Sequence, residues 1–582
     1  MSGKITRVYG GFRGADFRGT ETELTRSPDC LNMWKDYREA DSIRTRPAMQ
    51  RIRKDDFPGK IYGIFFYKAG DTEMMIVHSR SWLYKVVDGV AELIFKNPGT
   101  DKEMPVAVNP AKSAAFVFND KWFFTDGQHY LQYDGAEIKE VEGKVPTTSI
   151  NGKATSDTAL ISGSVPHQDV NLLTDSRYNT FIGDGDNLCF VLDTLYEAEP
   201  GCEVEEVRVD GVLQSKSAYS VFHTDKNVWY VKFNSAPGSP ATTGQDNVSV
   251  KFRKNVNKSI IFNCTMFELF DNRVFFSGNP EFPNRIWHSA LQDPTYVSDL
   301  DYYNEGLDSG AVKAMVAGNN NLWVFKEPSQ ANTTIFYHTP ALDDEYGKIY
   351  PNTHSSISTG CVGKAINFND DIIFFSDRGM EGISGDITTE QVIEHRSSLI
   401  DSRLLAEENY RDMILTEWEG YLLVIIGKKI YLADSRAVFT NEDHIEYEWF
   451  YWEMTEEISC ATVNNGILYL GAEKAVYALT DTESGVESHW ETPKDKFGYP
   501  HRLKTTNKRG CVAEVQGDVT LYAKTEKTDY ELIGTYENIA DYLVSRIRMK
   551  KFKDIQLKFA SNTRFSLETA TLEGFIGGYI KR

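Results

Sequence analysis

Along the chain a short pattern recurs: an apolar strand end, a turn built from Asn, Asp or Gly, and a second run rich in aromatic and aliphatic side chains. These turn residues tolerate the positive φ of tight hairpins, so each copy predicts a β-hairpin. The copies are Phe118-Asn119-Asp120-Lys121-Trp122, Phe270-Asp271-Asn272-Arg273-Val274, Ala317-Gly318-Asn319-Asn320-Asn321-Leu322, Phe368-Asn369-Asp370-Asp371-Ile372, Trp418-Glu419-Gly420-Tyr421-Leu422 and Val463-Asn464-Asn465-Gly466-Ile467, with a looser one at Tyr67-Lys68-Ala69-Gly70-Asp71. Their first residues, at 67, 118, 270, 317, 368, 418 and 463, lie 51, 152, 47, 51, 50 and 45 residues apart. A period of about 50 residues fits a four-stranded propeller blade. Further strands follow some hairpins, as at Lys429-Ile430-Tyr431-Leu432 and Lys474-Ala475-Val476-Tyr477, which fits the meander of a blade. About seven blades are predicted, the last free to borrow a strand from one end of the chain. Two stacked sandwiches would not require such even spacing.

The long interval leaves room for about 100 inserted residues, a plausible size for one small domain. A Ser/Thr/Gly-rich link, Thr147 to Ser164, leads into runs of period two such as Glu205-Glu206-Val207-Arg208-Val209, Val228-Trp229-Tyr230-Val231-Lys232-Phe233 and Val248-Ser249-Val250-Lys251-Phe252. That alternation predicts a small antiparallel sandwich. After Asp481 the repeat stops, and Val519-Thr520-Leu521-Tyr522-Ala523, Ile555-Gln556-Leu557-Lys558-Phe559 and Phe565-Ser566-Leu567-Glu568 predict a terminal sandwich. One short helix is expected near Ile400–Asn409, where Leu399, Leu404 and Leu405 share a face. The expected fold class is therefore all-β: a β-propeller of about seven blades with an inserted Ig-like β-sandwich and a C-terminal β-sandwich. The expected boundaries are an N-terminal docking arm at 1–54, first blades at 55–148, the insert at 149–256, remaining blades at 257–490 and the last sandwich at 491–582.

Composition strengthens the sheet reading, because 13% of the 582 residues are aromatic and such side chains suit a pleated, half-buried surface. A formal charge of -21 predicts a surface that repels nucleic acid and anionic membranes on average. The charge is uneven: residues 1–54 carry 12 Lys+Arg against 7 Asp+Glu. A second basic cluster holds Arg546, Arg548, Lys550, Lys551 and Lys553. We take Arg44, Arg46, Arg51, Arg53, Arg546, Arg548, Lys550 and Lys551 as candidate assembly residues, against the plainer reading of solvated faces. The seven cysteines are scattered and lack a CxxC pair, the usage of free thiols in a reducing compartment. No signal peptide is expected at the basic, Gly-rich start, and the apolar run Tyr421–Ile426 is far too short to span a membrane.

Signatures of chemistry are sparse. GxxxxGK[ST], GxSxG and HExxH are absent, which counts against those enzyme families. Gly183-Asp184-Gly185-Asp186-Asn187 has the Asp-x-Asp opening of a calcium loop, but Leu195 stands where an EF-hand needs Glu, so a hairpin turn is expected. Ser376-Asp377-Arg378-Gly379 partly resembles the Asp-box turn of sialidase propellers, itself a structural turn. His288, His338 and His354 read as satisfied side chains rather than ligands, and Asp343-Asp344-Glu345 carries no weight among 84 acids. No catalytic residue, cofactor or metal is nominated, and no enzymatic activity is expected.

Three segments taken in order resemble bacteriophage virion proteins: Arg273-Val274-Phe275-Phe276-Ser277-Gly278-Asn279-Pro280 followed by Pro283-Asn284-Arg285-Ile286-Trp287-His288-Ser289; Asn321-Leu322-Trp323-Val324-Phe325-Lys326-Glu327; and Ile373-Phe374-Phe375-Ser376-Asp377-Arg378-Gly379. They are similar to the β-propeller tail hub or nozzle (packaged-DNA stabilisation) proteins of short-tailed phages. The insert, through Tyr178-Asn179-Thr180-Phe181-Ile182-Gly183, resembles sandwich modules of phage tail proteins. The resemblance implies a homo-oligomeric ring, often of six subunits, located in the virion tail and assembled in the host cytoplasm. Its partners would be portal or adaptor and other tail proteins. Packaged double-stranded DNA would pass through the channel without sequence-specific binding. Two other classes compete: a receptor- or carbohydrate-binding adhesin using aromatics such as Trp229 or Trp287, and a propeller glycosidase.

Overall fold

The structure, a computed structural model, describes residues 3–38, 42–100, 102, 104–150, 167–193, 203–224, 228–329, 332–344, 347–354, 359–384, 392–441, 444–481 and 485–580. Most of the expected link to Ser164, together with Leu195, Cys202 and Glu345, lies outside the described residues. Two compact units divide the chain: one holds Met1–Phe66, Glu73–Leu93 and Thr359–Arg582, the other Tyr67–Thr72 and Ile94–Ser358.

The architecture is an all-β propeller scaffold. Among the described residues seven four-stranded antiparallel sheets follow in chain order. Blade 1 runs from Ile61–Ala69 to Val90–Leu93 and blade 2 from Ala114–Phe118 to Ile138–Glu140. Blade 3 spans Met266–Phe270 to Tyr302–Asn304, and blade 4 spans Val312–Gly318 to Asn352–His354. Blade 5 begins at Ala365–Phe368, blade 6 at Ile414–Trp418 and blade 7 at Cys460–Asn464. The fourth strand of blade 7 comes from the N-terminal region, where Ala48–Arg51 pairs with Val476–Thr480, so the expected loan of a strand is observed.

Local chemistry explains the repeat. In blades 2 to 7 both central residues of the first hairpin turn have positive φ: Asn119 and Asp120, Asp271 and Asn272, Asn319 and Asn320, Asn369 and Asp370, Glu419 and Gly420, Asn465 and Gly466. That is the demand of a type I′ turn, whose twist matches the flanking strands. In the looser copy only Gly70 lies in this region. The strands after these turns are buried almost throughout, as in Asn321–Lys326 and Tyr421–Ile426. Both faces of such a strand are covered, so its sequence is a continuous apolar run rather than an alternation.

The second unit carries the insert as a five-stranded sheet facing a three-stranded one. Phe181, Phe190, Val231, Phe233, Val250 and Phe252 fill the space between them. The five-stranded sheet begins at Thr147–Ser149, two residues before the expected boundary of 149.

The first unit ends in a sandwich organised by one bent strand, Arg502–Thr525. Its first half pairs with Phe565–Tyr579 and with Tyr542–Ser545. Its second half pairs with Thr528–Ile539 and Ile555–Ser561. The register shifts at Gly517, whose φ is 96°. The N-terminal segment is a correction to the expected docking arm, because its strands are integral to these sheets. Lys4–Gly10 pairs with Phe565–Tyr579, Cys30–Leu31 with Ser488–Glu491, and Ile43–Thr45 with Met33–Lys35. The sandwich therefore starts earlier than 491 and recruits both ends of the chain. The expected helix shrinks to Asp401–Leu404 with a 3-10 turn at Tyr410–Asp412, and a second short helix, Ser259–Phe262, was not anticipated. No helix among the described residues is long and apolar enough to cross a membrane.

Candidate assembly surface

The C-terminal basic cluster lies on a segment that alternates strictly. Tyr542, Val544, Arg546, Arg548 and Lys550 are exposed, whereas Leu543, Ser545, Ile547 and Met549 are buried. Period two in an extended chain sends these sets to opposite faces. The inner set joins the main hydrophobic core through Leu543, Ile547 and Met549, and this burial fixes the outward direction of the basic side chains. Beyond Ser545 the segment passes a bulge in the neighbouring strand, where the register jumps from Thr506 to Cys511. The Thr506 hydroxyl spans the gap by donating to the Ile547 carbonyl (2.6 Å) and accepting the Met549 N–H (2.9 Å). Gly510 turns the bulge with φ 59°, and a Cβ there would lie 2.4 Å from the Ile547 nitrogen. The bulge leaves Arg509 exposed.

Arg546, Arg548, Lys550 and Lys551 are all exposed, and among the described residues none of them has an acidic partner. The four N-terminal arginines behave differently, and the structure does not gather all eight into one patch. Arg46 is buried, and its guanidinium donates to Asn32 Oδ1 (2.8 Å), the Pro47 carbonyl (2.9 Å) and the Glu453 carbonyl (3.2 Å). Burial pulls its pKa down to about 10. Arg44 is largely covered and reaches Asp36 at 3.3 Å. Arg51 pairs with Asp56 at 2.5 Å, and Arg53 lies over the Phe57 ring at 4.7 Å. Interior and locally paired positions suit these four to holding the fold.

The cations share their face with features that basic clustering alone could not reveal. Strand register aligns Val8, Thr571, Val512 and Val544 in one row across four strands. Val8 and Val544 are 56% and 57% exposed. On one side of this row lies the next, Gly10, Thr569, Glu514 and Tyr542. Asp541 and Glu514 raise the Tyr542 hydroxyl pKa, with Glu568 contributing. Arg509, Arg546, Arg548 and Lys550 lie on the other side. Along the strands of Val512 and Val544 the outer face is thus acidic at one end, apolar in the middle and basic at the other, while on the two neighbouring strands Glu573 and Lys4 form an ion pair at 2.8 Å beside the basic end.

Other polar clusters are internally satisfied. Asp29, His489 and Glu491 have donor atoms within 4.8 Å of one another. Arg403 and Lys558 already hold the two carboxylates, at 2.7 and 3.2 Å. Burial pushes Asp29 up, but hydrogen bonds from His489 and Arg403 outweigh it and hold the pKa at about 2. That arrangement is a salt-bridge network, with cations supplied by the chain. His338 is fully buried between Glu305 (2.9 Å) and the Tyr350 carbonyl (2.9 Å), a satisfied core histidine as expected. His288, also buried, meets the Ser289 carbonyl at 3.0 Å, and burial lowers its pKa to about 4. The side chain of His354 lies outside the described residues. Asp184 Oδ1 accepts the N–H groups of Asp186 and Asn187, which is the turn expected there. Trp287 is only 1% exposed, so it is not available to stack on a sugar, and Trp229 packs against the insert core.

No protein-family model and no curated protein matches the chain. Among solved structures it is similar to BamB from Moraxella catarrhalis, with a TM-score of 0.32 and 10% identity over 75% of this chain and 97% of that one. It is also similar to Hsv2p from Kluyveromyces lactis, with a TM-score of 0.23 and 10% identity over 67% and 96% of the two chains. A third likeness is to an exo-beta-1,3-galactanase from Phanerochaete chrysosporium, with a TM-score of 0.22 and 8% identity over 53% and 94%.

Proposed function

We propose that the protein is a structural component of a phage tail, a hub or nozzle subunit whose ring extends the head-to-tail DNA channel and retains packaged DNA until ejection. The observation that carries the reading as an assembly protein is the set of exposed cations, Arg546, Arg548, Lys550 and Lys551, which have no acidic partner among the described residues although the chain has a net charge of -21. Unpaired charges on a rigid sheet retain their field for an intermolecular partner and steer its approach. Support for the tail assignment comes from the ordered sequence resemblance. An acidic average surface would let DNA slide past without adhering. In this reading portal, adaptor and other tail proteins are partners, and the virion tail is the location.

Replacing the four cations by Glu tests the docking role. Assembly through this face should weaken by at least about tenfold, since like-charge contacts replace complementary ones. Unchanged assembly in a normally folded variant would contradict it. One observation favours an adhesin instead: Phe222 and Tyr230 stack on the insert at 5.6 Å with an interplanar angle of 20°, and Phe222 is exposed. Glycan binding abolished by Phe222→Ala would move the assignment to that class.

A further inference from the structure

The charge pattern of the C-terminal sheet identifies the kind of partner that its outer face fits. Along the strands of Val512 and Val544 the acids and the cations lie too far apart to neutralise one another, whereas Glu573 on the adjacent strand is already held by Lys4 at 2.8 Å. Arg546 lies four positions beyond Tyr542, about 13 Å along an extended chain, which exceeds the screening length of about 8 Å at physiological salt. The sheet is stiff, its inner side chains being locked in the core, so the two ends do not fold towards each other. The two ends of these strands therefore present fields of opposite sign, with Val512 and Val544 between them.

We propose that this face binds the same face of a second copy of this chain, about a two-fold axis running along the row Val8, Thr571, Val512 and Val544. The proposal rests on the reading of this face as a docking surface and names its occupant. Rotation about that axis leaves each strand column in place and reverses its direction. Val544 then meets Val544 of the copy. In the same column Asp541 and Tyr542 meet Arg546 and Arg548, and in the neighbouring column Glu514 meets the Arg509 bulge. Every contact occurs twice, as a two-fold interface requires. Apolar side chains occupy the centre and charges the rim, which is the anatomy of specific interfaces. A uniformly acidic partner would leave Glu514 and Asp541 facing like charge, and a nucleic acid backbone would do the same.

Four strands at about 4.8 Å and eight residues at about 3.3 Å give a patch of roughly 19 by 26 Å. That is about 500 Å² per copy, below the 800 Å² or so of a stable pair. The contact is weak between free chains, is concentration-dependent, and loosens with salt.

Sedimentation of the full chain across a concentration series, at low and at high salt, reads the pairing. The expected result is a reversible doubling of mass, weakened by salt. Arg546→Glu with Arg548→Glu should weaken it at least about tenfold, and so should Glu514→Lys with Asp541→Lys. Combining all four substitutions should restore the constant to within about threefold, because the exchanged ends again match. Glu514 is half-buried on its strand and the other three positions are exposed, and melting curves verify folding. A second measurement is independent of charge: with Cys189, Cys202 and Cys460 replaced by Ser, Val544→Cys should be joined to itself by a short bismaleimide, whereas Arg548→Cys should not. Failure of the combined swap to restore pairing, or the absence of both doubling and crosslink, overturns the proposal. Particle shape separates this result from the tail reading. A ring that forms but never doubles removes the self-pairing alone, whereas doubling without any ring removes the tail hub alone.

Discussion

Gly517 shows how a single residue can direct the course of a strand. Its φ of 96° belongs to glycine, and a Cβ would lie 2.4 Å from the Arg564 carbonyl oxygen, so the long strand can pass from one sheet to the other only if no side chain is present. Gly517→Val should destabilise the chain by about 3 kcal/mol in urea unfolding; a change within error would mean that the bend lies elsewhere. His395 is a second residue with a measurable consequence. Burial lowers its pKa, but the hydrogen bonds it donates to Asp401 (2.6 Å) and Glu381 outweigh burial and raise the value to about 10, from 6.5. The stabilisation is therefore complete below pH 6.5 and is lost as the pH rises through 10. The difference in melting temperature between the native chain and His395→Gln should shrink over that interval, and a constant difference would exclude the ion pair as its source. Residues such as Arg46 were not legible in this way. A lone arginine in a sequence gives no sign that Asn32 and two carbonyls wait for it inside the fold.

Among elements, the hairpins carry the clearest instruction. Asn369 and Asp370 both have positive φ, 52° and 64°. A left-handed conformation costs a β-branched residue more than Asn, Asp or Gly. Asn369→Gly should leave stability near the native value, while Asn369→Val should cost about 2 kcal/mol. Equal effects would refute the turn assignment. The same demand made the repeat visible in the sequence, because six turns needed similar residues at similar intervals. The insert was legible through its period of two. The N-terminal strands were not, since Gly14–Ala15, Arg26–Ser27 and Cys30–Leu31 are two residues each and have no period to detect. The outer face was half legible. Basic residues cluster in sequence, whereas Glu514, Val8 and Val512 join them only through strand register. The helix was overestimated because three leucines at helical spacing also suit a single turn, with Leu399 and Leu404 in the core.

Along the chain, seven blade sheets hold one insert between blades 2 and 3 and are followed by a sandwich that both ends of the chain help to build. Residues 4–51 contribute strands to the C-terminal sandwich and the last strand of blade 7. Stability of the docking sheet is thereby tied to the scaffold, and its exposed face is held in fixed register. This organisation suits a subunit whose surface must keep its geometry while under load, which is the role proposed here. The most direct test is light scattering with negative-stain electron microscopy of the full chain, alone and with the proteins encoded beside it. The account predicts closed rings with a central opening, alone or on an adaptor. A compact single subunit that never assembles under either condition would contradict it.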